Sequence, residues 1–231
     1  SSLTGLCLSI TCLGIVAKGE ATRRSGAQPT DLICVSGNLG AAFMGLQLLE
    51  REKRVFAGQT GDFDPDFAGR EYILERQLRP EARQDIIRQL QEQGLRPTAM
   101  IDSSDGLASE LLHLAKESGV GIRIYEERLP IDIETASMAE ELGMSTTTVA
   151  LSGGEDFELI FTLPLGELDR IRSLEGVHVI GHVTEAGQGC YLVTPDGAEI
   201  KLRAQGWPEE AEGATATDTK DQATEKAHEE D

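Results

Sequence analysis

The residues best able to do chemistry fall in three short segments and one isolated aromatic. In residues 99–107 (AMIDSSDGL) an apolar run ends at Asp102, and Asp105-Gly106 follows three positions on, with Ser103 and Ser104 between. Two carboxylates spaced this way, at the end of a strand and the start of a helix, can hold Mg²⁺ ions against phosphate oxygens. The free N–H groups of the helix would add partial positive charge. Ser and Asp are equally the residues that cap helices in any protein, so the segment by itself leaves both readings open. In residues 150–161 (ALSGGEDFELIF) Gly153-Gly154 precede Glu155 and Asp156 at the mouth of an apolar strand. The acids there suit a polar ligand or metal, or else flank a Gly-Gly turn and are merely solvated. The third segment, Arg23-Arg24-Ser25-Gly26-Ala27, is a basic spot in an acidic chain. Its guanidinium groups could grip phosphate bidentately, or lie on the surface without a ligand. Trp207, the single tryptophan, is either a hydrophobic plug or a stacking platform for a flat ligand.

Other residues offer less. His178 and His182 lie four apart without an HExxH pattern, and no Ser-His-Asp set has supporting spacing. GxGxxG and Walker A sequences are absent, and the run Gly37-Asn38-Leu39-Gly40 suits tight helix–strand packing as well as a ligand. Cys7, Cys12, Cys34 and Cys190 form no CxxC pair and read as small buried hydrophobes in a reducing compartment.

Elements able to position these groups follow from the hydrophobic pattern. Residues 3–16 read as a buried strand: they have no basic n-region, Thr4, Ser9 and Thr11 interrupt them, and they are shorter than the ~20 residues a spanning helix needs. The chain starts abruptly inside that strand, which predicts a fragment. A polar loop covers 18–31, a strand 32–36, a helix 39–52 and a loop or insertion 58–69. An amphipathic helix spans 81–93, with Ala82, Ile86, Ile87 and Leu90 on its apolar face. Then come a strand at 98–102, a helix at 107–117, a strand at 120–125 and a helical region at 130–143. A strand at 155–163 puts Glu155, Phe157 and Leu159 on one face, and Asp156, Glu158 and Ile160 on the other. A short helix at 165–173 and strands at 177–183, 190–194 and 198–202 complete the pattern. Helices interleaved with strands predict an α/β or α+β layered fold with a mixed β-sheet and packed helices.

Charge narrows the partners. The 231 residues carry 40 acids against 21 basic residues, a net charge of −19, and the pI is about 4.6. Such a chain repels a nucleic-acid backbone and an anionic membrane surface, so neither is expected as a partner. Residues 208–231 hold nine acids and two lysines with no aromatic or large aliphatic residue. That composition predicts a disordered acidic tail that aids solubility.

The motifs, taken in order, resemble the thiamine-monophosphate kinase family of the aminoimidazole ribonucleotide synthetase-like superfamily. The matching stretches are residues 10–49, 99–124 (AMIDSSDGLASELLHLAKESGVGIRI), 150–163 (ALSGGEDFELIFTL) and 179–183 (VIGHV). SGGEDFEL is the most discriminating of them. The resemblance implies the superfamily's C-terminal domain over 37–207, preceded by a remnant of the N-terminal ATP- and metal-binding domain over 1–36. It implies ATP-dependent phosphorylation of thiamine monophosphate to thiamine diphosphate, by direct in-line transfer with several Mg²⁺ ions and no covalent nucleophile. Carried over by position, it places Asp102 and Asp105 on Mg²⁺, Arg24 and Ser104 on ATP, and Glu155 and Trp207 on the substrate. A cytoplasmic homodimer is the family's form.

The family's upstream half, with a Gly-Gly-Asp segment expected just before Ser1, has no counterpart in the sequence. The chain is therefore expected to be a truncated kinase with about half a site. Two alternatives remain: a superfamily enzyme using another small substrate, such as selenophosphate or a purine precursor, and a non-catalytic acidic binding module. A Cys-bearing C-terminal motif is lacking, which argues against the hydrogenase-maturation relative.

Overall fold

A computed structural model describes residues 9–57, 65 and 67–204. Seven strands form one mixed sheet in the order β2-β4-β1-β5-β3-β6-β7. They are β1 (Leu32–Ser36), β2 (Ala99–Asp102), β3 (Gly121–Tyr125), β4 (Leu159–Leu163), β5 (Val177–Thr184), β6 (Cys190–Val193) and β7 (Glu199–Lys201). Among the described residues only β3 and β6 pair in parallel, and the other ladders are antiparallel. The mixed sheet expected from the sequence is thus present, within an α+β fold.

The alternation of β1 shows why the sheet is covered on both faces. Ile33 and Val35 pack with Leu107, Leu111 and Leu114 of α4 (Leu107–Ser118) and with Ile122 and Ile124 of β3. Leu32 and Cys34 pack with Phe161 and Leu163 of β4, Ile86 and Leu90 of α3 (Gln84–Glu92), and Ile171 of α7 (Leu168–Ile171). A third cluster joins α1 (Ala41–Phe56), α2 (Glu71–Leu78), α5 (Ile133–Glu141) and α6 (Thr146–Ser152) through Met44, Leu48, Ile73, Met138 and Val149. Asp132 and Ser145 cap α5 and α6 by accepting from Glu134 N and Thr148 N, as short polar side chains at these positions do.

Several expectations need correction. Residues 9–16 form no strand and lie exposed, with Ile10, Leu13 and Ile15 almost wholly so. An extended segment becomes a strand only when a neighbour takes its backbone N–H and C=O groups, and no described strand does. β1 sits between β4 and β5 in the middle of the sheet, so a domain division after residue 36 cuts through this layer. β4 begins at Leu159, not at 155, because Glu155 and Phe157 both adopt left-handed φ of 59° and 50°. Burial still alternates there, with Asp156 and Glu158 buried and Glu155 and Phe157 exposed. In the 81–93 region the helix begins at Gln84; Ile86 and Leu90 are buried, whereas Ala82 and Ile87 are exposed. The helix expected over 165–173 is only α7, after a 3₁₀ turn at Leu165–Glu167. Helices α2 and α6 have no counterpart in the sequence reading.

Cys34 is buried, which pushes its thiol up to about 12, but Cys12 is exposed and does not fit the expectation for a buried hydrophobe. Cys7, most of the 58–69 stretch, Trp207 and the acidic tail lie outside the described residues. Among the described residues no helix is long and apolar enough to cross a membrane.

Candidate functional site

Asp102 ends β2, and its partner across the ladder is Leu159, the first residue of β4. Residues 103–106 leading into α4 and residues 153–158 leading into β4 therefore emerge side by side. Three backbone hydrogen bonds zip them together. Ser103 N donates to Glu158 O at 2.7 Å, Glu155 N to Ser104 O at 2.7 Å, and Phe157 N to Ser103 O at 2.9 Å. The approach is close enough to need glycine at two points. A Cβ on Gly154 (φ +71°) would lie 2.9 Å from Ser104 O, and one on Gly106 (φ +104°) 2.8 Å from Leu151 O. Glycine meets both demands, since it reaches positive φ without steric cost and has no Cβ to clash.

Asp102, Ser104, Asp105 and Glu155 are brought together by this zipper. Asp102 and Asp105 are exposed, and among the described residues neither carboxylate has a side-chain partner. Ser104 Oγ donates to Glu110 Oε1 at 3.0 Å. Glu155 is steadied by Gln77 Nε2, which donates to its Oε2 at 3.1 Å. Left-handed φ at Glu155 and Phe157 stores strain of about 1–3 kcal/mol per residue, a cost that concentrates at ligand sites. Exposed Phe157 is one site-region residue that the sequence reading did not single out as a candidate.

Beneath the zipper, the buried acids are engaged. Glu158 accepts from Ser36 Oγ and from Arg83 Nη1 at 2.7 Å, and Arg76 Nη2 lies 2.8 Å from its Oε1. Arg76 Nη2 also donates to Asp156 O at 2.9 Å, tying the 153–158 segment to α2. Arg83 is held above its ordinary pKa, first by its hydrogen bond to Asp85 and then by Glu158. Asp85 is lowered by Arg83 in turn. The Asp156 carboxylate accepts from Gly40 N at 2.7 Å and Ala42 N at 3.3 Å, and so caps α1. Burial pushes Asp156 up to about 6, against the opposing pull of those two N–H groups. Arg76, Arg83 and Glu158 escaped the sequence reading because nothing in their local spacing links α2, α3 and β4.

Arg24 lies beside β2: the carbonyl of Arg23 accepts from Met100 N at 2.8 Å, two residues before Asp102 on that strand. The Arg24 carbonyl accepts from Ser118 Oγ at 3.4 Å, at the last residue of α4. Arg24 is exposed with no side-chain partner among the described residues, beside a pocket of about 340 Å³ lined by Arg23, Ser25, Arg96 and Thr98.

The donor set bears on metal binding. Asp102 and Asp105 offer hard oxygen ligands with open coordination capacity, as Mg²⁺ requires. Among the described residues no group of three or more His, Cys, Asp or Glu could hold a metal ion. His178 and His182 belong to no such group.

Comparison with known proteins gives these features a context. The model of the family described as "AIR synthase related protein, C-terminal domain" matches residues 28–193. Thiamine-monophosphate kinase of Aquifex aeolicus is 35% identical over 185 residues, covering 75% of this chain and 56% of the relative. The Bacillus subtilis thiamine-monophosphate kinase is 32% identical over 212 residues, covering 90% of the chain and 61% of the relative. A solved structure described as AaThiL complexed with AMPPCP and TMP superposes with a TM-score of 0.63 at 34% identity, covering 79% of this chain and 53% of that one. The chain thus spans little more than half the length of the proteins it matches.

Proposed function

Since the chain belongs to the AIR synthase related family through that family's C-terminal domain, we propose that it is the larger part of an ATP-dependent thiamine-monophosphate kinase. The observation that carries this reading is the pair of partnerless carboxylates, Asp102 and Asp105. They are fixed beside Ser104 and Glu155 at the carboxyl end of β2, where α/β sheets bind ligands. The kinase relatives and the nucleotide- and TMP-bound structure supply the substrates.

Phosphoryl transfer asks a protein mainly for positioning and for charge opposite the phosphates. Asp102 and Asp105 would hold Mg²⁺, which when bound would neutralise charge on the transferring group. The first turn of α4 presents free N–H groups on the same side as these acids, favourable to phosphate oxygens. Ser104 would face the nucleotide, and Glu155 and Trp207 the thiamine moiety, with Trp207 stacking on the flat thiazolium. Arg24 would contact ATP. Arg23 O bonds to Met100 N on β2, so Arg24 flanks the strand that carries Asp102. Transfer is direct and in line, without a covalent intermediate. The setting proposed is the cytoplasm.

A paired assay tests the reading: thiamine diphosphate formed from thiamine monophosphate, ATP and Mg²⁺ by this chain, and by the chain extended upstream with a family N-terminal half. Product in the extended arm alone is expected. Product in both arms means that the residues present suffice. If both proteins are folded and neither makes product, the thiamine assignment falls, and a sister substrate or a non-catalytic binding module takes its place.

A further inference from the structure

We infer that Glu110 is a positioning residue for the carboxylate site, one that fixes both the direction of the Ser104 hydroxyl and the backbone of Asp105; this rests on the cation-binding reading above. Glu110 lies in the first turn of α4 and is only 4% exposed. A single oxygen of its carboxylate, Oε1, accepts from Ser104 Oγ at 3.0 Å and from Asp105 N at 3.1 Å. Reaching back from the first helical turn to an N–H ahead of the helix is the habit of acids in capping boxes. Here the N–H belongs to a proposed metal ligand, and the second donor belongs to its neighbour.

The chemistry of the second bond sharpens the point. A hydroxyl has one proton and two lone pairs, whereas a carboxylate only accepts. With its proton committed to Glu110, the Ser104 oxygen can offer nothing but lone pairs to whatever occupies the site. Lone pairs repel phosphate oxygens and suit a cation. Ser104 therefore presents an oxygen ligand to the ion held by Asp102 and Asp105, and it faces the nucleotide through that ion and not by donating to a phosphate. The backbone supports this geometry, because Ser104 O is itself taken by Glu155 N and cannot swing away.

Two mild substitutions separate geometry from charge. Glu110→Gln keeps the reach and the accepting oxygen but loses the charge. Glu110→Asp keeps the charge but withdraws the oxygen by one methylene. The probe is Mn²⁺ alone, titrated into the chain and counted as free ion by electron paramagnetic resonance, with thermal melts confirming that each variant is folded. Outer-shell partners of metal ligands typically carry tenfold or more in affinity. Glu110→Asp should therefore weaken Mn²⁺ binding about tenfold, and Glu110→Gln less than about threefold. Ser104→Ala should weaken it as well, and Glu110→Asp should cost less in that background.

If Glu110→Asp binds as the unsubstituted chain does, or Glu110→Gln is the weaker of the two, the positioning role is overturned. Asp102→Asn serves as the control. Binding that Asp102→Asn abolishes but Glu110→Asp leaves intact removes Glu110 alone, while an unsubstituted chain that leaves all Mn²⁺ free removes the cation site and this inference with it.

Discussion

Two pairs of carboxylates, some fifty residues apart in sequence, sit on the two zipped loops and live in opposite surroundings. Asp156 and Glu158 are buried, and every charge they bring inside is answered: Glu158 by Arg83, Arg76 and Ser36, Asp156 by two N–H groups at the head of α1. Asp102 and Asp105 are exposed on the zipped loops above and answered by nothing among the described residues. Burying an ionised carboxylate is tolerable only when partners replace lost water, so the inner pair is committed to holding the fold. The outer pair keeps its coordination capacity. The same residue type thus serves as frame and as candidate ligand, and exposure with partner count tells the two apart.

The contrast breaks most visibly at Glu158. Glu158→Ala takes the carboxylate from between two guanidinium groups, and removal of one member of a buried pair costs about 3–5 kcal/mol. The urea midpoint should fall accordingly, with the slope unchanged. A loss under about 1 kcal/mol would mean that Arg76 and Arg83 find water or Asp85 instead, and that Glu158 is not a frame residue.

Asp156 tests the inner pair through pH. Its folded value of about 6 stands above the ordinary aspartate value of about 3.9. Between these values the native state binds more protons than the unfolded state, so this residue's contribution is full below about pH 4 and is lost as pH rises through 6. Two pK units correspond to about 3 kcal/mol across that window. Asp156→Asn retains an oxygen able to accept from Gly40 N and Ala42 N but does not titrate. Urea midpoints measured from pH 4 to 6.5 should decline more steeply for the unsubstituted chain than for the variant. Parallel curves would show that Asp156 titrates normally.

How far the sequence foretold this arrangement depends on whether the signal was local. The segment AMIDSSDGL contains its own strand, turn and helix start, and the structure returns all three with Asp102 and Asp105 where the spacing put them. The segment around Glu155 is equally local, although β4 begins at Leu159 and not at 155 as the alternation predicts. Period-two alternation in 155–158 survives in the burial pattern, yet the left-handed residues that generate it there have no signature in residue type: neither Glu nor Phe favours positive φ. Glu158 with Arg76 and Arg83 was invisible because its partners are supplied by helices far away in sequence. The placement of Arg24 was not legible locally either: the Arg23 carbonyl meets Met100 N on β2, a strand more than seventy residues on in sequence. Residues 9–16 read as a buried strand from apolar content alone, which says nothing about whether a partner strand exists.

The smallest expected effect on stability sharpens the comparison most. Asp102→Asn together with Asp105→Asn removes two exposed charges that no described side chain contacts, and such surface changes usually stay within about 0.5 kcal/mol. In a chain of net charge −19 the self-repulsion relieved acts in the opposite direction. The same double variant should lose the ligand response. A cation that binds only the folded chain stabilises it by RT ln(1 + [L]/Kd), about 2.7 kcal/mol at a hundredfold excess over Kd. Mn²⁺ should therefore raise the melting temperature of the unsubstituted chain and leave the double variant unmoved, although the two melt together without metal. A variant that melts well below the parent in metal-free buffer would place these acids in the frame beside Glu158 and end the distinction between the two pairs.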